Sequence, residues 1–250
     1  MGKTTVSSIL SQTLAAEGKR ILAIDADPNG NLSLALGYDA IKDGRITPLI
    51  ERKDVIKERT GTEPGQFGGT FVMNPKVDDF VDRFAVDING LKLMVTGELK
   101  EALTGCYCPE NALLRSFMSH LFMERDEWVI LDMEAGFEHL TRGTAESVNV
   151  MLVVVEPGQR AVQTAAKIAK LAEQLGIQKI GYVLNKIHDE SHSLALSGML
   201  DAEKIMGKIP YDIKAVEADL AGATPFEKCP VLSKSIKQIR MKLEKFVKDL

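Results

Sequence analysis

Apolar residues Val6, Ile9, Leu10 and Leu14 recur at helical spacing within residues 4–17, and Gly18 ends the pattern before Lys19-Arg20 lead into the apolar run Ile21-Leu22-Ala23-Ile24. A helix followed by a buried strand is the element pair this pattern predicts. Similar short apolar runs follow at residues 90–95 (GLKLMV), 128–131 (WVIL), 150–155 (VMLVVV) and 180–184 (IGYVL), with helical patterns filling much of the space between them. Strands that are apolar on both faces and separated by helices predict an α/β fold with a doubly wound, mostly parallel sheet. In such sheets ligands gather at the carboxyl ends of the strands. The periodicity lapses over residues 45–87 and 97–109. These stretches read as insertions on the ligand side of a single domain spanning residues 1–250.

Composition narrows the function classes. The chain has 250 residues, 45% hydrophobic and 26% charged, with a net charge of −4. That balance gives no whole-chain attraction to nucleic acid or to an anionic membrane, so neither is expected as a partner. The longest apolar run, residues 150–155, is far too short to span a bilayer, and the start of the chain lacks the charged-then-apolar layout of a signal peptide. A cytoplasmic location is expected. Three cysteines argue against a secreted disulfide framework. Two of them form the motif Cys106-Tyr107-Cys108, and Cys229 reads as a lone thiol.

The candidate chemistry sits where this architecture would use it. Gly2-Lys3-Thr4-Thr5 matches the G-K-[ST] end of a phosphate-binding loop, directly before the first predicted helix. The strand at residues 21–24 runs into Asp25-Ala26-Asp27-Pro28, and the strand at 128–131 runs into Asp132, followed by Met133-Glu134-Ala135-Gly136. A hydrophobic strand ending in Asp is the Walker-B pattern, in which the carboxylate holds Mg²⁺ while the loop lysine meets the terminal phosphates. Strand-end Asp is also a common turn former and helix cap, so each one alone has a structural reading. It is their combination with the GKTT sequence that points to nucleotide chemistry.

The order GKTT, DADP, DMEAG and then Asn185-Lys186 after a strand resembles the deviant Walker-A (SIMIBI-type) P-loop ATPases, the group of MinD, ParA, the nitrogenase iron protein and the arsenite and tail-anchored-protein ATPases. Within the group, ITPLIE at residues 46–51, NPKVDD at 74–79, CYCPEN at 106–111 and EHLTRGTA at 138–145 resemble the CooC-type ATPases that mature nickel carbon monoxide dehydrogenase. The resemblance covers essentially the whole chain. It implies ATP or ADP bound with Mg²⁺ by Gly2, Lys3, Thr4, Thr5, Asn185 and Pro210. Lys3 would meet the β- and γ-phosphates, Thr4 would ligate Mg²⁺, and Asp25 and Asp132 would complete the metal's surroundings. Asp27 would orient the attacking water, making Lys3, Asp27 and Asp132 the catalytic set. Asn185 would recognise the base edge, with residues 209–211 closing over it.

Two departures accompany the resemblance. The family loop reads K-G-G-x-G-K-T-T, and here the front lysine, the early glycines and the first strand that feeds them are missing, with Met1 at the x position. A start assigned too late, or a truncation, is the expectation, with the loss of an interior strand leaving unpaired backbone groups beside the site. Glu134 stands where the CooC-like pattern has glycine, and a carboxylate near the γ-phosphate would repel it.

Cys106 and Cys108 supply two thiolates, half of a tetrahedral set. The resemblance implies that a homodimer brings two such pairs together around Ni²⁺, with Zn²⁺ a chemical alternative at the same site. The expected function is then an ATP-dependent metallochaperone that inserts nickel into apo carbon monoxide dehydrogenase. Acetyl-CoA synthase as client, or an iron–sulfur-carrying ATPase of the nitrogenase iron-protein type, are the alternatives. His188 and His192 have ligand spacing but read as surface residues of a loop.

Overall fold

The computed structural model describes the chain apart from residues 1, 28–29, 65–69, 98–107, 125–126, 135–147 and 249–250, and for 122–124 the backbone alone. The first apolar period forms α1 (Lys3–Ala16). The strand after it, β1 (Ile21–Asp25), is buried along its whole length, because it lies between two parallel neighbours. One of these is β3 (Leu91–Val95), itself the second arm of a hairpin with the antiparallel β2 (Val86–Ile88). Asn89 and Gly90 join the arms with φ of 48° and 84°. Two successive left-handed residues make the tight turn whose twist matches a hairpin, and Asn-Gly adopts it at least cost. The other neighbour, β4 (Trp128–Asp132), completes a four-stranded sheet of order β2-β3-β1-β4.

A second sheet follows in the chain. The strands β5 (Met151–Val155), β6 (Ile180–Ile187) and β7 (Ile205–Pro210) lie in that order and run parallel. Among the described residues no ladder joins the two sheets: β4 is the outer strand of one and β5 of the other. Their unpaired edges face each other across a cavity.

Helices cover both faces, as a doubly wound fold requires. On one face α1 spans both sheets, its Val6, Ile9, Leu10 and Leu14 packing with Ile21, Ala23 and Leu93 of the first and Val154, Val183 and Met206 of the second. The C-terminal helix Pro230–Lys248 shares this layer through Leu232, Ile236, Ile239 and Leu243. Arg240 ties it to α1, meeting Glu17 at 2.6 Å and its own Glu244 at 3.2 Å. On the opposite face, Leu22, Ile24 and Met94 pack against Leu113, Leu114, Phe117 and Met118 of a long helix, Pro109–Glu124. The helix Gln159–Leu175 covers the second sheet, its Ala165 and Ala172 packing with Val153, Val155 and Leu184.

Part of the 45–87 stretch, expected as an insertion, contributes to the core. Val55 and Ile56 from helix Lys53–Thr60, with Phe80 and Val81 from helix Phe80–Phe84, join the cluster on Pro109–Glu124. Helices of eight and five residues contain too few turns for a 3.6-residue period to stand out in sequence. Among the described residues no helix is long and apolar enough to cross a membrane.

Candidate functional site

The register of the first sheet places Asp25 beside Asp132, at the carboxyl ends of neighbouring parallel strands. Both are buried, at 0% and 3% exposure. Two carboxylates taken out of water beside each other need donors, cations or protons to persist.

Asp25 is satisfied by backbone. Its Oδ2 accepts from Leu32 N at 2.9 Å and its Oδ1 from Asp27 N at 3.2 Å. These bonds hold Asp27 and Leu32 against the strand end, so Asp25 positions Asp27. Burial still dominates and pushes the Asp25 carboxyl up to about 6, the two N–H donors opposing it and the charges of Asp132 and Asp27 adding to the rise.

Asp132 faces α1. Ser7 Oγ donates to its Oδ1 at 3.0 Å, while Oδ2 is buried and receives no hydrogen bond among the described residues. Burial raises this carboxyl too, opposed by the nearby hydroxyls of Thr4 and Ser7 and by the charge of Lys3, with Asp27 adding repulsion. The Thr4 hydroxyl lies close to the carboxylate without completing a hydrogen bond to Oδ2. An orphaned anionic oxygen beside a hydroxyl and a second carboxylate is a donor set of hard oxygens. That chemistry fits Mg²⁺, so Asp132, Thr4 and Asp25 fit the cation the sequence implied.

The start of α1 is open. Gly2 is its N-cap in a left-handed conformation (φ 76°), with no side-chain cap and no acidic residue in the first turn. The first-turn N–H groups, without a side-chain cap among the described residues, and the positive end of the helix dipole therefore meet the site together with Lys3, the arrangement that holds phosphate. Thr5 is half-buried in the same first turn. Gly2 also abuts the second sheet: a Cβ on it would fall 2.5 Å from Asn185 Nδ2.

Asn185 is 93% buried near the end of β6, and Lys186 next to it has φ 55° and pairs with Glu156 at 2.7 Å. Pro210 ends β7 in register with Ile187, and Tyr211 N donates to Ile187 O at 3.0 Å. The Tyr211 ring stacks on His188 at 4.6 Å. Gly2, Lys3, Thr4, Asp25, Asp27 and Asp132 thus converge at one end of the first sheet, and Asn185 touches the same loop. Pro210 is set two strands over from β5, at the carboxyl edge of the second sheet.

Ser7 was not foreseen from sequence. Its signal was its position one turn after Lys3, which puts both on one face of α1. Glu134 is exposed just past β4. His188 is exposed, in keeping with a surface reading, and Cys229 is a fully buried free thiol. Of the cysteine pair, Cys106 lies outside the described residues. Cys108 is half-buried at the head of Pro109–Glu124, its carbonyl accepting from Ala112 N at 3.1 Å. Among the described residues no cluster of three or more His, Cys, Asp or Glu is arranged to hold a metal.

Known proteins are similar to this chain in sequence and in fold. The CobQ/CobB/MinD/ParA nucleotide binding domain family matches residues 1–226. The chain is 40% identical over 230 residues to the carbon monoxide dehydrogenase accessory protein CooC of Rhodospirillum rubrum, covering 92% of this chain and 87% of that one. It is likewise 40% identical over 225 residues to the uncharacterized ATP-binding protein MJ0823 of Methanocaldococcus jannaschii, covering 89% and 86%. Among solved structures, MinD in the MinC:MinD complex of Aquifex aeolicus superposes with a TM-score of 0.68 at 20% identity, over 98% of this chain and 91% of that one. MinD of Pyrococcus horikoshii with Mg-ADP gives 0.66 at 18% identity, over 99% and 92%; both likenesses concern the fold. The chain belongs to the CobQ/CobB/MinD/ParA nucleotide-binding family, as a CooC-type ATPase of the MinD/ParA fold.

Proposed function

We propose that this chain is a cytoplasmic, single-domain ATP-dependent metallochaperone. It takes Ni²⁺ as cargo between two Cys106/Cys108 pairs of a homodimer and inserts it into apo carbon monoxide dehydrogenase. The observation that carries this reading is the Cys-Tyr-Cys motif in a chain that matches a carbon monoxide dehydrogenase accessory protein along 92% of its length. Four thiolates on a two-fold axis form a closed soft-ligand site suited to Ni²⁺ or Zn²⁺. Cys108 heads a 16-residue helix, where negative charge is favoured.

In this reading Lys3 and the open N–H groups of α1 bind the phosphates, and Asn185 and the Pro210 segment hold the base. Thr4, Asp132 and Asp25 surround Mg²⁺, which neutralises phosphate charge when bound. Asp27, held by the Asp25 anchor, orients water for hydrolysis. Nucleotide changes nickel affinity only if it binds two dimer arrangements unequally, and the linkage is then reciprocal. Nickel titration of the purified protein under anaerobic conditions, with and without ADP or a non-hydrolysable ATP analogue, tests the reading. The expected result is one nickel per two chains, an affinity that shifts with nucleotide, and loss of binding in the Cys106→Ser, Cys108→Ser double variant. Unchanged nickel binding in that variant would remove the cysteines from the site.

A further inference from the structure

Strand β6 breaks its own alternation where it reaches the candidate site. Tyr182 and Leu184 pack into the cluster under helix Gln159–Leu175, and Val183 packs with α1 on the opposite face. A period of two sends Asn185 to the α1 face and would send Ile187 after it. Asn185 does go there, since a Cβ on Gly2 would fall 2.5 Å from its Nδ2. Ile187 instead rejoins the cluster of Tyr182 and Leu184. The ladder with β7 gives the reason: Leu184 lies opposite Lys208 and Ile187 opposite Pro210, so β6 spends one residue more than β7 over the same span. The extra residue of this bulge is Lys186, exposed and left-handed at φ 55°.

A lysine in the left-handed region is strained where glycine would not be, and such strain persists only where the surroundings impose it. The described contacts supply a restraint on each side. After the bulge, Tyr211 N donates to Ile187 O at 3.0 Å. Before it, the parallel ladder with β5 ends at the pair of Val155 and Leu184. Glu156, next along from Val155, takes over where the ladder stops by pairing with Lys186 Nζ at 2.7 Å. The Lys186 ammonium is the foremost cause holding the Glu156 carboxyl below the usual carboxylate range, so the pair stays charged well below neutral pH. The two side chains are 48% and 29% exposed, and a pair so open to water adds little to global stability. Its effect is local, on the one residue that separates Asn185 from Ile187.

We infer that Glu156 is a positioning residue for base recognition: by clamping Lys186 it sets the bulge that aims the Asn185 amide at the start of α1. The inference rests on the reading that Asn185 holds the base, and Glu156 acts through Asn185 without touching the nucleotide. With the clamp removed, Lys186 is free to relax toward negative φ, and the Asn185 amide loses its single orientation. Losing one fixed hydrogen bond to a base weakens binding roughly three- to tenfold. Lys3 and the first-turn N–H groups of α1 lie on another element, so the phosphate part of the affinity is left in place.

The test is calorimetric titration with Mg-ADP and with Mg-pyrophosphate, which lacks a base. It compares wild type with Asn185→Ala, Glu156→Gln, Glu156→Asp and the Asn185→Ala, Glu156→Gln double variant. Glu156→Gln is expected to weaken ADP roughly three- to tenfold, with pyrophosphate held within about twofold and the thermal midpoint unmoved. The double variant should bind ADP no more weakly than Asn185→Ala alone, because one residue acts through the other. Glu156→Asp keeps the charge and should recover part of the loss. In nucleotide-free protein, the Asn185 side-chain amide resonances should shift in Glu156→Gln and return toward wild type in Glu156→Asp, which tests the clamp whatever the nucleotide affinity. Unmoved Asn185 resonances, additive losses in the double variant, or an equal loss for pyrophosphate would overturn the inference. So would full ADP affinity in Glu156→Gln while Asn185→Ala loses it. Asn185→Ala without effect on ADP would instead remove Asn185 from base recognition, and the inference would fall with that reading.

Discussion

Replacing Asp25 by Asn converts a buried charge into a measurable dependence of stability on pH. Asp25 is fully buried and its carboxyl is raised from 3.8 to about 6, chiefly by burial. At 1.36 kcal/mol per pH unit, that difference makes the folded ionised form about 3 kcal/mol less favourable than the same group in the unfolded chain. The sign follows from proton counts. Between pH 4 and 6 the folded state binds the proton more tightly, so the stability this group contributes is present below the unfolded value and is lost as pH rises through about 6. Asn has no charge to lose, but its single carbonyl oxygen serves only one of the two N–H groups, from Leu32 and Asp27, that Asp25 accepts. The unserved N–H costs about 1–3 kcal/mol at every pH. Urea denaturation of wild type and Asp25→Asn, in EDTA and without nucleotide, separates the two effects. The stability difference should move in favour of the variant by about 2 kcal/mol between pH 4.5 and pH 8, since part of the full change lies below pH 4.5. A difference constant to within about 0.5 kcal/mol across that range would refute the assignment of a desolvated, proton-binding Asp25.

Other substitutions probe the same corner. Gly2→Ala places a Cβ 2.5 Å from Asn185 Nδ2 at a φ of 76°, so fluorescent-nucleotide affinity should fall at least ~10-fold while far-ultraviolet circular dichroism stays unchanged. Ser7→Ala removes the donor to Asp132 Oδ1 and should lower stability by about 1–3 kcal/mol in urea titrations. Lys3→Ala should abolish measurable ATP binding without lowering the thermal midpoint, a pairing checked by calorimetry on one preparation.

What the sequence made legible was what depends on period and order. Each apolar run became a strand, the acids at residues 25 and 132 came to rest at adjacent strand ends, and the helix expected from Thr4 begins at Lys3. What it hid depends on contacts between distant segments. Nothing local announces that Ser7 donates to a residue 125 positions away, or that a Cβ at Gly2 would strike Asn185. The short helices of the 45–87 stretch carry too little period to be recognised before the face of Pro109–Glu124 that they cover is known.

The split between the sheets joins both kinds of information. Lys3 at the start of α1 was visible in the sequence, but the strands β4 and β5 that share its cavity lie more than 120 residues away in the chain. Lys3 lines the mouth of that gap, and Asp132 ends one of its walls. Lys3 and Asp132 therefore share one cavity through a juxtaposition that no local sequence pattern records.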